Sequence, residues 1–477
     1  MSKNPLVLDV DGTFLRTDML FECFWAGLGR DPIATLRASF RHFRDPATLK
    51  ARLAEIAPLR VDLLPVSEPA KALVAEAQED GREVVLASAS DISLVKPLAE
   101  HHGLSDRVFA TQGRNNLKGN AKAEALVEVF GEGGFDYAGN APVDRPIWRR
   151  ADRAVVVGDS TSAAEMRDAG KDVLELDGGW TTRDLIKSFR PHQWVKNILL
   201  FLPLIAAHDF SLSTILLAVL GIISFSAAAS SIYLVNDLLD LEADRLHVKK
   251  CKRPFASGAV PIQVGMAAFF GLAAVALGLG AALSPAFLGV VAFYMVLSLA
   301  YSLKLKRMRW IDIAVLASLY TLRVVAGAAA TGIYVTGYLL VFIFPVFLAL
   351  GCVKRLTELT LATSDERLPG RGYGRADRPD LLNVASLGVI AALVAFFLYS
   401  YTDQAIGLYK TQWLIWVAEI PMALWMIRMV RLGWYGKQDH DPIVFAMKDK
   451  RGIGLMLMSI SIMFYAAGLW QKWMGLG

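Results

Sequence analysis

From Trp194 onward the chain alternates apolar stretches of roughly 17–25 residues with short polar loops, the length that bilayer thickness demands of a spanning helix. The second part of the chain is therefore an all-α membrane domain. Runs near 195–210, 213–235, 262–283, 286–303, 311–331, 337–353, 382–402, 412–428 and 453–470 give nine spans, which put the two ends of that domain on opposite sides. Basic residues are distributed unevenly. One set of loops holds Arg245, Lys249, Lys250, Lys252 and Arg253, then Lys304, Lys306, Arg307 and Arg309, then the run from Lys354 to Arg378, and finally Arg428 to Arg451. The opposite loops, around His208, Ser284, Gly332 and Asp403, carry only Lys410. By the positive-inside rule the basic loops are cytoplasmic, and the N-terminal part lies on their side.

Up to about Asp184 charged residues recur throughout, and 477 residues suffice for two or three domains. The expected division is a cytoplasmic domain over 1–180, a linker or interfacial helix over 181–194, and the membrane domain over 195–477. Met1 to Pro5 leads straight into a buried-strand pattern without the features of a signal peptide, so an inner-membrane, multi-pass protein with cytoplasmic active sites is expected. Cys23, Cys251 and Cys352 have neither metal-ligand spacing nor the makings of a disulfide framework. A net charge of +5, with the second part's basic residues in loops between spans, argues for topology and anionic substrates and against nucleic acid.

In the N-terminal part, Pro5-Leu-Val-Leu-Asp-Val-Asp-Gly-Thr13 reads as a buried parallel strand ending in two aspartates and a glycine turn. Asp9 and Asp11, at i and i+2, share one face and project into the crevice where open α/β sheets bind ligands. Such a pair suits phosphoryl transfer: one carboxylate attacks phosphorus, the other moves the proton, and a cation shields the charge. A second strand, Glu83 to Ser90, ends in small hydroxyl residues, and Leu117-Lys-Gly-Asn-Ala-Lys122 opens an amphipathic helix. A hydroxyl and a lysine both grip phosphate.

These segments, in this order over about residues 1–180, resemble the haloacid dehalogenase superfamily of phosphatases, which implies an α/β Rossmann-like fold with a small helical cap between Leu15 and Glu79. The resemblance makes Asp9 the nucleophile, Asp11 the acid/base, and Ser88 and Lys122 the phosphate-binding groups. It makes Asp9, Asp144 and Asn140 the magnesium site. At Asn140 the sequence departs from the family, which usually has a carboxylate there. An amide oxygen coordinates Mg2+ but brings no charge, which leaves a silent or regulatory domain open as an alternative. Asp159, at the end of Val155-Val-Val-Gly, reads as a strand-end turn residue.

The second span ends in Tyr233-Leu-Val-Asn-Asp-Leu-Leu-Asp-Leu-Glu-Ala-Asp-Arg245, which sets Asn236, Asp237, Asp240 and Asp244 on one helical face. Stacked like charges at a membrane mouth call for a cation. Mg2+ fits, because it uses few protein carboxylates and completes its shell with water and phosphate oxygens, so the stripe reads as a diphosphate site.

Asn-Asp-x-x-Asp-x-x-x-Asp at the end of a second membrane helix resembles the UbiA superfamily of intramembrane prenyltransferases, whose fold has nine helices; the resemblance spans about 183–477. Aromatic prenyltransferases of that superfamily carry a second aspartate-rich motif. This chain instead has Tyr301-Ser-Leu-Lys304-Leu-Lys306-Arg-Met-Arg309-Trp-Ile-Asp312, with one aspartate among cations. Such a site suits a donor with more phosphate, such as phosphoribosyl pyrophosphate. Arg190-Pro-x-Gln-Trp-x-Lys-Asn197, the acidic segment, Lys252-Arg-Pro254 and Tyr301-Ser-x-x-Leu-Lys306 look like the polyprenyl-phosphate phosphoribosyltransferases. So do Leu322-Arg323, Lys354-Arg355-Leu-Thr-Glu358 and Asp441-Pro442.

That resemblance implies transfer of 5-phosphoribose to a polyprenyl phosphate; the fusion to a phosphatase-like domain on the same side of the membrane adds the expectation that this domain removes the 5-phosphate of the product. Asp237, Asp240 and Asp244 are expected to hold magnesium and Asn236 to assist. Lys196, Lys252, Arg253 and Lys306 are expected on phosphates. Asn197, Arg245, Tyr301 and Arg323, in the same matching segments, are expected at the substrate. An aromatic prenyltransferase remains the alternative. The sequence sets no oligomeric state.

Overall fold

A computed structural model describes residues 4–113, 116–362, 367–368, 371–438 and 441–475. By contact density the chain forms two compact units that do not follow sequence order: Met1–Arg190 with Tyr233–Gly271, and Pro191–Ile232 with Leu272–Gly477. The boundary therefore falls inside the long helix Leu212–Leu239 and again inside Ile262–Leu283.

The first unit is built on six parallel strands, β1 (Leu6–Leu8), β2 (Val84–Asp91), β3 (Val108–Thr111), β4 (Asp136–Gly139), β5 (Arg153–Val157) and β6 (Asp172–Leu176). Their order is β3-β2-β1-β4-β5-β6. All three residues of β1 are buried, as a central parallel strand covered on both faces requires. The sheet reverses direction of growth on either side of β1, between β2 and β4, so the carboxyl end of β1 opens into the crevice of a doubly wound sheet. Leu6, Leu8 and Val10 join one buried cluster and Val7 another, the period-2 alternation that fills both layers. This is the expected Rossmann-like α/β fold.

The cap consists of Met19–Arg30, Pro32–His42 and Pro46–Ile56. Each starts on an aspartate whose side chain accepts a backbone N–H of the first turn: Asp18 from Leu20, Asp31 from Ala34 and Asp45 from Thr48. The latter two are followed by proline at the first helical position, where the missing N–H costs nothing.

Among the described residues, seven helices are long and apolar enough to cross a membrane: Leu212–Leu239, Ile262–Leu283, Pro285–Leu303, Ile311–Thr331, Gly337–Leu361, Arg375–Tyr399 and Trp413–Trp434. The other two expected spans also appear as helical segments, the first irregular and the last shorter than any of the seven. The first is a 3-10 stretch, Pro191–Phe201, continued by Leu202–Ala207 and stopped by His208 in the left-handed region. The last is Lys450–Ala466, of 17 residues, ended before the left-handed Gly468.

Candidate active sites

At the carboxyl end of β1 the two aspartates are treated differently. Lys122 Nζ lies 2.7 Å from Asp9 Oδ1 and 3.0 Å from the Tyr137 hydroxyl, which donates to Asp144 Oδ1 at 3.1 Å. Asp11 accepts the Met19 amide at 2.8 Å, Ser90 Oγ at 2.7 Å and Ser88 Oγ at 3.3 Å. Burial, and then the charge of Asp9, push the Asp11 carboxyl up from its usual value, which suits a group that must hold a proton to give. Burial opposes the charge on Lys122, but Asp9 and Asp144 hold its ammonium above the ordinary value. Asp144 is raised to about 6, by burial first and Asp9 second.

Gly12, at φ +79°, lies directly under Asn140: a Cβ there would come within 2.2 Å of the amide nitrogen. Only glycine lets Asn140 lie over the aspartate loop. Asp9, Asp11, Lys122, Asn140 and Asp144 line one cavity of about 500 Å³. The carboxylates and the amide oxygen are hard donors of the type magnesium takes, so the set fits the ion with one charge fewer than three carboxylates would bring. Three further cations, Arg16, Lys50 and Lys118, line the same cavity. Lys50 comes from the cap and donates to the Ala89 carbonyl at 2.5 Å. Pro261 and Gln263, from far along the chain, close one wall, and Gln263 donates to Asp18 at 3.0 Å.

The acidic segment of the first unit is held by arginines. Arg253 Nη1 contacts Asp244 Oδ2 at 2.5 Å and Asp237 Oδ1 at 3.1 Å, and Arg190 pairs with Asp237 as well. Burial raises the Asp244 carboxyl and Arg253 pulls it back. Asp240 occupies the N-cap position of Leu241–Leu246 and is half-buried, while Lys252 is exposed. Asn236 Oδ1 is buried and finds no hydrogen-bond partner among the described residues. Among the described residues no three His, Cys, Asp or Glu side chains converge as a ready metal cage. An acidic pair with an unused amide oxygen nonetheless fits magnesium, which takes one or two carboxylates and fills its shell from phosphates. Arg245 is already engaged: it meets Glu22 at 2.5 and 3.1 Å and the Ala256 carbonyl at 3.0 Å, in a nearly dry environment.

In the second unit Lys196 pairs with Asp441 at 2.5 Å. Asn197 donates to Ser226 at 2.8 Å and accepts from Arg323 at 3.0 Å; Arg323 also reaches the Tyr294 hydroxyl at 3.2 Å and lies over the Tyr294 and Tyr320 rings. An apolar cavity of about 270 Å³, lined by Leu199, Leu202, Phe347, Trp425 and Met463 among others, offers room for hydrocarbon. Tyr301 belongs to a separate network. Its hydroxyl donates to Asp312 at 2.8 Å, and Asp312, wholly buried, also receives Arg355 at 2.5 Å and Arg371 at 3.1 Å. Lys306 sits in a short 3-10 turn, Leu305–Arg307, at the end of the preceding span.

The sequence model of the UbiA prenyltransferase family matches residues 198–473, more than half of the chain. The chain belongs to the UbiA prenyltransferase family. It is 34% identical over 472 residues to protein y4nM of Sinorhizobium fredii, covering 97% of this chain and 91% of that one. It is 32% identical over 273 residues to the decaprenyl-phosphate phosphoribosyltransferase of Mycobacterium tuberculosis, covering 56% of this chain and 88% of that protein. Among solved structures, a UbiA homolog from Archaeoglobus fulgidus bound to GPP and Mg2+ matches with a TM-score of 0.45 at 15% identity, over 59% of this chain and 99% of that one. This UbiA-type transferase is thus a multi-pass membrane enzyme, and a Rossmann-like α/β domain precedes its membrane part in the sequence.

Sequence reasoning did not single out Ser90, Tyr137, Lys50 or Glu22, nor name Arg190 and Asp441 as site residues. Ser90 follows Ser88 at the strand period, a signal that was present. Arg190 and Asp441 stand in the segments quoted for family resemblance. Lys50 and Glu22 carry no local signal, because they act across long stretches of sequence.

Proposed function

We propose that this UbiA-type enzyme transfers 5-phosphoribose from phosphoribosyl pyrophosphate to a polyprenyl phosphate with Mg2+, and that its N-terminal domain then removes the 5-phosphate. The observation that carries the reading is the acidic segment, in which Asp237 and Asp244 are matched by Arg190 and Arg253. A carboxylate cluster interleaved with guanidinium groups suits a donor richer in phosphate than a prenyl diphosphate, since arginine grips phosphate oxygens bidentately. The similarity to the Mycobacterium tuberculosis decaprenyl-phosphate phosphoribosyltransferase supports phosphoribose as the group transferred and a polyprenyl phosphate as its acceptor.

In this reading Asp237, Asp240 and Asp244 would hold magnesium, with Asn236 Oδ1 as a neutral donor. Bound magnesium would stabilise the charge of departing pyrophosphate. Arg253 and Arg190 exchange carboxylate for phosphate when donor enters, and Lys196, Lys252 and Lys306 add charge for the phosphates. A lipid phosphate oxygen forms the bond to the anomeric carbon as the bond to pyrophosphate breaks, so no protein nucleophile is needed. Asn197 and Arg323 lock one another and keep Lys196 aligned, while the isoprenoid tail lies among apolar helices. In the N-terminal cavity Asp9 attacks the 5-phosphate while Asp11 protonates the departing oxygen, water deprotonated by Asp11 then displaces phosphate from Asp9, and Lys122 with Ser88 holds the phosphoryl oxygens. The basic loops and the N-terminal domain face the cytoplasm.

The test incubates purified full-length chain with phosphoribosyl pyrophosphate, polyprenyl phosphate and Mg2+, and weighs the extracted lipid by mass spectrometry. A gain of phosphopentose, and then loss of one phosphate, is expected. A lipid without pentose, together with prenyl transfer to an aromatic acceptor, would replace this reading with the aromatic prenyltransferase one.

A further inference from the structure

The cap helix Pro32–His42 turns an apolar stripe outward. Ile33, Leu36, Phe40 and, just past its end, Phe43 are 70%, 55%, 85% and 63% exposed, and their spacing of three, four and three residues aligns them along one face. Its inner face holds by a small contact, with Thr35 buried against Gly27 of the preceding helix. Arg37 and Arg41 are exposed beside the stripe, and Arg44 lies over the Phe43 ring. Three large apolar side chains so exposed on an 11-residue helix, with a fourth on the residue that follows it, exceed what scattered surface hydrophobics account for.

The position of this helix says what covers it. The preceding helix, Met19–Arg30, ends against the terminus of a membrane span: a Cβ at Gly29 would lie 3.8 Å from the carbonyl oxygen of Leu239, the last residue of Leu212–Leu239, and Arg30 reaches Glu242 at 3.5 Å. The chain then turns at Asp31-Pro32 directly into the amphipathic helix. The stripe thus begins a few residues from a point where the protein leaves the bilayer.

We infer that helix Pro32–His42 is an interfacial anchor, with Ile33, Leu36, Phe40 and Phe43 sunk into the acyl boundary of the membrane that the chain spans and Arg37, Arg41 and Arg44 on anionic headgroups. Phenylalanine and leucine on one face with arginine alongside is the pattern of helices that lie in the membrane plane. Basic side chains at that depth are drawn to anionic lipid. The anchor holds the cap, and with it the Lys50 wall of the N-terminal cavity, at the height of lipid headgroups.

A nitroxide on Phe40→Cys tests this in the full-length chain, in a Cys251→Ser background because Cys23 and Cys352 are buried. Glu55→Cys, on the exposed side of helix Pro46–Ile56, serves as reference. In nanodiscs of phosphatidylcholine with phosphatidylglycerol, the label at 40 is expected to collide severalfold more with oxygen and severalfold less with a nickel chelate than the label at 55. It is expected to rise toward water in phosphatidylcholine alone. Equal aqueous accessibility at both positions would overturn the anchor. Loss of both collisions at 40 with spin–spin broadening would overturn it in favour of a second copy of the chain. A depth independent of lipid charge would remove the arginines from the proposal.

Discussion

Two carboxylate sites in the same compact unit meet one electrostatic problem in different ways. At the end of β1, Asp9 is matched by a single lysine, buried and fixed by Tyr137 on a neighbouring strand. In the acidic segment, Asp237 and Asp244 are matched by two arginines from the linker and a loop. Lysine is a compact point charge that leaves space beside it, so a phosphoryl group and a metal can enter without displacing it. Arginine makes a planar fork that spans two carboxylates, and must give way when phosphate arrives. The first arrangement suits a small phosphate handled repeatedly at one place. The second suits a large polyanionic donor whose entry rearranges the site.

The contrast can be broken at four points, in order of expected effect. Asp9→Asn should lower phosphate release from the lipid product by about 10⁴-fold while leaving pentose transfer unchanged, measured by mass analysis of extracted lipid. If transfer fell too, the two sites would not be separate. Asp237→Ala should lower pentose transfer by about 10³-fold and leave phosphate release from preformed product intact. Asn140→Asp should lower the magnesium concentration for half-maximal phosphate release by about 10-fold, because it restores the missing charge. No change would mean that Asn140 stands outside the ion's shell.

The smallest effect concerns stability. Asp18, beside Asp11, is raised to about 7 by burial first and by Asp11 second. Between the unfolded value near 3.8 and that folded value, the native state holds a proton the unfolded state lacks, so stability falls as pH rises through this window. Asp18→Asn keeps a capping oxygen and removes the charge. Its melting temperature should match wild type below pH 4 and exceed it by a few degrees above pH 7.

How much of this was legible varies with the range of the interaction. Spans and buried strands were readable, since bilayer thickness and the period of two impose local patterns on residues such as Leu6 to Val10. Asp9, Asp11, Ser88 and Lys122 were readable because each ends or opens an element. The irregular entry, Pro191–Phe201, was not, because its composition resembles a span while its backbone winds as 3-10 helix. Pairings such as Glu22 with Arg245, or Lys196 with Asp441, join residues more than two hundred positions apart, and no periodicity announces them. Nor did Asp312, one aspartate among cations in the sequence, reveal that Arg355 and Arg371 would enclose it.

The Glu22–Arg245 pair bears on how such a fusion can be dismantled or rebuilt. Arg245 directly follows Asp244, and Glu22 also accepts the Thr17 hydroxyl at 2.6 Å. A chimera that took its N-terminal domain from a protein lacking an acid at position 22 would leave a guanidinium stranded without water, a defect of about 3–5 kcal/mol. The two halves are therefore not interchangeable parts: exchange of one needs a matching change in the other, and residues 22 and 245 form the key by which compatible halves can be told from incompatible ones.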